Sequence, residues 1–381
     1  MHIAINAWFL DNPSVGSGQY LKYLLPALLD DSESLTISLV SNRNIDHLTA
    51  SSMRLKPVLV STPFANPSSN LAKLWFEQIS FPHACHQLQA DVAHVPYFGS
   101  PFFTTIPTVV TVHDLIPLVL PAYRGGVRVR LYTALVAQAA SRASLIMADS
   151  KASQTDILAR LRVDTEQIKT VYLAPAPHFR LVEAEMVSQV KAKYNLPDRF
   201  ILYVGGYDLR KNVSTLVQAY VGVSEMLGND YPLVLAGRLP KQDSSFFPDP
   251  ISVAKQLGIE GHIVTPGWIA EEDLPALYSA AHLFVYPSYY EGFGLPVLEA
   301  MACGTPVITS TSTSLPELSG SAACLVEAHH ADQLTAAMLQ ILQNEQLVQY
   351  MIQQGLTQVQ RFSWTETARQ TVAVYRTSLE R

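Results

Sequence analysis

Residues 200–223 read FILYVGGYDLRKNVSTLVQAYVGV. A short β-branched and aromatic run ends on two glycines, a polar loop follows, and an apolar-periodic stretch begins at Val213, so the segment reads as strand, loop and helix. The start of the chain repeats the device, with IAINAWFL over 3–10, DNPSVGSG over 11–18 and QYLKYLLPALL over 19–29. Around these two units, short apolar runs at His2–Ala7, Thr36–Val40, Thr108–Val112, Leu145–Ala148, Phe200–Val204, Leu233–Ala236, Leu283–Tyr286 and Pro306–Thr309 alternate with longer helical patterns. Such alternation predicts an α/β protein whose parallel sheets are covered on both faces.

The alternation breaks over Leu173–Arg199, where APAPHF leads to a charged helical stretch and the turn sequence NLPDR. The hinge between two domains is expected there, giving doubly wound Rossmann-like domains over 1–175 and 176–362. Open α/β sheets bind ligands outside the carboxyl ends of their strands, so the cleft across which the domains face each other is the expected site. Near the end, Thr365–Glu380 lies outside the alternation and either closes the second domain or crosses back onto the first.

Composition narrows the function. The 381 residues include 26 Lys and Arg against 32 Asp and Glu, a formal charge of −6, which offers no attraction to nucleic acid. Cys85, Cys303 and Cys324 fit neither a disulfide framework nor a zinc site and suit a reducing compartment. MHIAINAWFL has no cationic region ahead of its apolar run and reads as a strand rather than a signal peptide, making the cytoplasm the expected location. The longest uncharged stretch, Val92–Val112, is broken by Pro96, Gly99, Pro101 and Pro107, so no spanning helix is expected. A charged fraction of only 15% leaves peripheral contact at the inner membrane face open.

The strongest local signal is EGFGLPVLE, Glu291–Glu299. Its glycines permit close approach to the backbone, and a helix starting near Leu295 would aim free N–H groups at a phosphate. Glu299, one turn into that helix, is able to accept both hydroxyls of a ribose, and Glu291 is placed to meet another part of the same ligand. Both glutamates would also sit well at a helix start for electrostatic reasons alone. Arg210-Lys211-Asn212 follows the VGG strand, and a forked cation beside a mobile one suits a diphosphate. Gly16-Ser17-Gly18 falls between the first strand and the first helix, but the third glycine and the acidic end of the second strand that mark a dinucleotide site are missing. His113-Asp114 ends TVVTV and opens a loop, where the histidine could meet a sugar hydroxyl or the aspartate could simply close a turn. No HExxH, DxD, GxSxG or Walker lysine loop is present, so no metal or other cofactor is called for.

Glu291 and Glu299 form an E-x7-E pair. With RKN at 210–212, HD at 113–114, the first-loop glycines and GWI followed by LPALYSAAHLFVYPS over 267–288, the chain resembles the retaining glycosyltransferases of family 4, which have the GT-B fold. The resemblance spans nearly the whole sequence and is most specific from Phe200 to Pro316. It implies transfer of a hexose from a UDP- or GDP-sugar to a hydroxyl of a glycan or lipid-linked saccharide, without a metal. It assigns the donor to the second domain and the acceptor mainly to the first, and FSWTETA over 362–368 resembles the stretch where the last helix returns to the N-terminal domain, placing 363–381 there.

Position by position, the resemblance implies that Arg210 and Lys211 bind the diphosphate and that Glu299 holds the ribose. Glu291 and the backbone of Phe293 and Gly294 would grip the transferred sugar, with the Leu295 amide on a phosphate. Gly16 and Gly18 would let the first loop close over the phosphates, His113 would lie beside the sugar, and Trp268 and Ile269 would border the base. Two other readings of the same residues are a glycoside-cleaving enzyme using two carboxylates and a non-catalytic nucleotide-sugar binder. The first leaves the RKN cations unexplained.

Overall fold

The computed structural model describes residues 1–12, 15–49 and 52–381. It divides into two units, Met1–Leu173 with Ser363–Arg381, and Ala174–Phe362. In the first, β1 (His2–Asn6), β2 (Thr36–Ser41), β3 (Leu55–Leu59), β4 (Val92–Val95), β5 (Thr108–Val112), β6 (Leu145–Ala148) and β7 (Ile168–Thr170) form a parallel sheet in the order β3-β2-β1-β4-β5-β6-β7. In the second, β8 (Ile201–Val204), β9 (Leu233–Ala236), β10 (Ile263–Gly267), β11 (Leu283–Tyr286), β12 (Val307–Ser310) and β13 (Ala323–Val326) run β10-β9-β8-β11-β12-β13.

Both sheets are doubly wound, and the strand order reverses between β1 and β4 in one and between β8 and β11 in the other. At these places Ile3 pairs with Val92 and Leu283 with Ile201. Every residue of β5, β9 and β11 is buried, as strands with helices on both faces must be.

All eight expected strands are present within a residue or so of their expected ends. The sequence reading left out β3, β4, β7, β10 and β13. β3 and β10 carry Pro57 and Pro266, β7 has only three residues, and β4 is four residues that run straight into Pro96. Proline and brevity erase the signal that marked the others.

The last helix, Trp364–Leu379, packs in the first unit. Ser363 caps it by accepting from the Glu366 amide (3.1 Å), and Thr367 donates to the Tyr172 carbonyl at 2.7 Å. Tyr375 bonds to Nδ1 of buried His94 at 2.7 Å, while His94 Nε2 meets Thr111 at 2.9 Å. Burial lowers the His94 pKa to about 3, so it serves as a neutral core link. Among the described residues no helix is long and apolar enough to cross a membrane.

Candidate functional site

In the second unit the chain leaves β8 through Gly205 and Gly206 and forms a short turn, Leu209–Lys211. Asn212 ends that turn in the left-handed region, at φ 58°, a conformation asparagine tolerates. Its side chain donates to the carbonyls of Pro287 (3.1 Å) and Ala328 and accepts from Thr215 at 2.7 Å. The loop after β8 is thereby pinned to the loop after β11, and the Tyr289 amide adds a bond to the Arg210 carbonyl at 3.0 Å.

This pinning brings Arg210 and Lys211 onto Glu291. Arg210 Nη1 donates to Glu291 Oε2 at 2.6 Å and to the Tyr290 carbonyl at 3.2 Å, and its Nε lies 3.2 Å from Asp208. Lys211 Nζ donates to Glu291 Oε1 at 2.7 Å and to the Tyr286 hydroxyl, which itself donates to Oε1 at 3.0 Å. Burial opposes ionisation of Glu291, but the two cations overcome it and hold its pKa down at about 2. Burial lowers the pKa of Lys211, with Glu291 working against it. For Arg210 burial is outweighed by Glu291 and Asp208, and its pKa rises.

The backbone of residues 291–294 is clamped from the β12 side. The Glu291 amide donates to Thr313 at 3.0 Å, and Ser314 donates to the carbonyls of Glu291 (3.1 Å) and Phe293. Gly294 then turns the chain at φ 119° into the helix Leu295–Ala302, whose amino end has no side-chain cap. A Cβ at Gly294 would lie 2.7 Å from Leu315 Cδ2 in a conformation L-residues avoid, so glycine is required. Glu299, half-buried one turn along, accepts from Tyr278 at 3.0 Å. Burial raises its pKa to about 7, with Tyr278 lowering it and Glu271 raising it.

Elsewhere in this unit, Trp268 follows β10 with 61% of its surface exposed and the Arg238 guanidinium 5.0 Å from its ring centre, whereas Ile269 is buried. Among the described residues no cluster of three or more His, Cys, Asp or Glu is arranged to hold a metal ion.

In the first unit the glycine pair departs from its expected place. Pro13 and Ser14 of the expected loop lie outside the described residues. The helix Gly16–Asp31 begins at Gly16 itself, so Gly16 and Gly18 form its first turn rather than a loop ahead of it. A Cβ on Gly18 would fall 2.3 Å from the Asn12 carbonyl oxygen and 2.5 Å from that of Phe9, while one on Gly16 would meet nothing within 4 Å among the described residues. Gly18 therefore has a packing reason to be glycine.

His113 places Nδ1 2.7 Å from Asp149 Oδ2 and Nε2 3.1 Å from the Pro96 carbonyl oxygen. Both partners only accept, so both nitrogens are satisfied only in the imidazolium. Burial disfavours that charge, but Asp149 and then Asp114 prevail and raise the pKa. Asp114 also closes the turn by accepting from the Ile116 amide at 3.0 Å.

The structure thus joins Arg210, Lys211 and Glu291 directly. It seats Phe293, Gly294, Leu295 and Glu299 along one loop and helix, and keeps Gly16, Gly18 and His113 in the other unit. Asp208, Tyr278, Tyr286, Thr313 and Asp149 complete these arrangements without having stood out in the sequence. Tyr278 and Tyr286 lay inside LPALYSAAHLFVYPS, which carried the resemblance as a stretch with no role for either tyrosine, and the position of Asp149 at the end of the LIMA strand could have drawn notice.

Comparison with known proteins places this geometry among relatives. Residues 188–358 match the model for glycosyl transferases group 1, and residues 16–174 that for glycosyltransferase family 4. O-antigen chain mannosyltransferase B of Escherichia coli is 35% identical over 269 residues, 70% of each chain. Serotype-specific mannosyltransferase WbdA of Escherichia coli is 32% identical over 265 residues, which span only 32% of its length. The MMP α-(1→4)-mannosyltransferase of Mycolicibacterium hassiacum is 31% identical over 236 residues, 61% of this chain and 54% of that one. In fold the chain is similar to sucrose-phosphate synthase of Thermosynechococcus elongatus, with TM-score 0.76, 22% identity and coverage of 99% and 98%. It is likewise similar to Anabaena HepE in complex with UDP-glucose, with TM-score 0.75, 17% identity and coverage of 98% and 99%.

Proposed function

The chain belongs to the group 1, family 4 glycosyltransferases, a retaining family of GT-B fold, and we propose that it moves a mannosyl group from a UDP- or GDP-sugar held by its second unit to a hydroxyl of a glycan or lipid-linked saccharide held by its first. The observation that carries the donor half is the cluster of Arg210 and Lys211 on Glu291, three residues ahead of the Gly294 turn into an uncapped helix start. Mannose as the sugar is supported by the names of the curated relatives.

In this reading the cations and the helix-end amides stabilise charge building on the departing diphosphate, the interaction that does most to lower such barriers. Glu291 gives one oxygen to each cation and accepts from Tyr286 as well, which leaves at most one lone pair, on Oε2, for a sugar hydroxyl. Because both its oxygens are held in ion pairs, it is a poor nucleophile. Retention then follows from a front-face route in which the leaving phosphate takes the acceptor's proton, and no protein base is required. Glu299 in its ionised form accepts the ribose hydroxyls. His113, satisfied as a cation, balances charge beside the sugar rather than removing a proton. Trp268 and Ile269 border the base.

We further propose that the enzyme works at the cytoplasmic membrane face. Between Asp114 and Asp149 there is no acidic residue, and the basic groups are Arg124, Arg128, Arg130 and Arg142. Val127, Val129 and Leu131 stand exposed among the first three. A basic segment studded with apolar side chains suits a surface of anionic lipid. Co-sedimentation with phosphatidylglycerol vesicles, lost on Arg128→Glu with Arg130→Glu, checks this.

Thermal unfolding with UDP, GDP and ADP tests the donor reading, since a ligand of the folded form raises stability, by about 2.7 kcal/mol at a hundredfold excess over Kd. One of UDP or GDP should raise the Tm and ADP should not. No shift with any of them would sink the proposal.

A further inference from the structure

The first unit has its own polar cluster where its strand order reverses. Glu77, on the π turn Phe76–Ser80, has no solvent exposure. A buried carboxylate is costly unless it is well partnered, and π turns recur at functional sites. Its two oxygens accept from the Tyr132 hydroxyl at 3.1 and 3.0 Å, Lys73 lies 3.4 Å away, and Tyr97 reaches it as well. Asn6, the last residue of β1, donates to the Tyr97 hydroxyl at 3.0 Å, and Tyr97 itself follows β4. The cluster thus sits at the carboxyl ends of the two strands between which the order reverses, where open α/β sheets take their ligands.

Lys73 links this buried acid to the surface. Its side chain keeps 22% exposure, and its ammonium stands 5.2, 5.1 and 5.2 Å from the ring centres of Phe9, Tyr97 and Tyr132. Two of its three N–H groups go to Tyr132 and Glu77, leaving one for a ligand. Phe9 and Tyr132 are half-buried, so they reach the surface beside it. Aromatic faces meet the C–H face of a pyranose, and an ammonium and a phenol meet its hydroxyls. An anionic ligand would be opposed by Glu77.

We propose that Lys73, Tyr132 and the rings around them form a subsite for a neutral pyranose, the terminal sugar of the acceptor, with Glu77 and Tyr97 as positioning residues. The proposal rests on the reading of the first unit as the acceptor side.

The test uses the whole chain without nucleotide. Saturation-transfer NMR with the methyl α-pyranosides of mannose, glucose and galactose should show binding of at least one by the wild type. Lys73→Met and Tyr132→Phe should each weaken it about tenfold or more, the loss expected for a hydrogen bond to a charged group or its partner. In transfer to a mannose-terminated acceptor the same variants should raise the acceptor KM about tenfold, with donor KM and kcat within about twofold, a split that mere loosening of the fold would not produce. Binding of none of the three sugars by the wild type, or unchanged affinity and acceptor KM in both variants, overturns the subsite. Failure of UDP and GDP to bind would strike the donor reading instead, and the NMR result would still decide this one.

Discussion

The two sheets reverse their strand order at equivalent places, between β1 and β4 and between β8 and β11, and each carries a lysine, a buried glutamate and a tyrosine there. Both clusters pair their charges, since Asp208 accompanies Glu291 beside the two cations, and what lies beyond the glutamate separates them. In the second unit two cations face Glu291, its pKa falls to about 2, and an uncapped helix start lies just beyond. In the first unit one ammonium faces Glu77, burial outweighs that ammonium and the phenols, and the carboxyl's pKa rises. One topology thus yields a place poised for an anion and a place poised for a neutral, hydroxylated ligand. The fold supplies the location, and the helix start beyond Glu291, which the first cluster lacks, selects the chemistry.

The largest effect is expected where charge is concentrated. Lys211→Ala should lower kcat about 10²–10³-fold, as removal of a preorganised donor does in other enzymes. It should also lower the Tm, because Glu291 loses one of its two cationic partners in a nearly dry setting. Steady-state rates beside those of Lys73→Met sharpen the contrast, since the first variant should lose kcat and the second acceptor affinity. If both lost kcat alike, the two places would not differ in kind.

How far this was legible follows the same division. Short runs of Val, Ile and Leu bounded by turns gave the central strands, because covered parallel strands must be apolar throughout. The donor-side cluster could be read because Arg210-Lys211-Asn212 and Glu291–Glu299 are compact in sequence and stand directly after strands. The cluster of Lys73, Glu77, Tyr97 and Tyr132 could not, as its members lie on four separate elements, and a lysine and glutamate four apart look like an ordinary exposed helix pair. The pairing of His113 with Asp149 spans 36 residues and was equally hidden. Backbone approach is silent in sequence too. Gly16 and Gly18 looked alike, and only the fold separates them.

That separation gives the next largest effect, now on stability. Gly18→Ala should cost about 1–3 kcal/mol, the usual penalty for overpacking, because the carbonyls of Phe9 and Asn12 must move. Gly16→Ala should stabilise by at most about 0.5–1 kcal/mol, the mid-helix value, since no described residue crowds it and alanine favours the helix. Denaturant titration of both variants checks the pair. A large loss of UDP or GDP affinity in Gly16→Ala, with stability kept, would give the first unit a phosphate contact and weaken the contrast drawn above.

The smallest effect is a fraction of a proton, and it probes the donor side alone. Glu299 has a folded pKa near 7, above its ordinary value of 4.5. Its contribution to stability is therefore complete below about pH 4.5 and is lost as pH rises through 7. Ribose hydroxyls donate more strongly to the carboxylate, which accepts on both oxygens, than to the acid, so a bound nucleotide should pull this pKa down. Binding of UDP or GDP near pH 7 should release part of a proton, and affinity should rise from pH 6 to pH 8. Calorimetry in buffers of different ionisation enthalpy measures the release, and Glu299→Gln should abolish it while leaving the nucleotide's own phosphate titration in place. Glu291, already ionised at these pH values, adds nothing to the window. Proton uptake, or a release that survives Glu299→Gln, would mean that the carboxyl one turn into the helix does not hold the ribose.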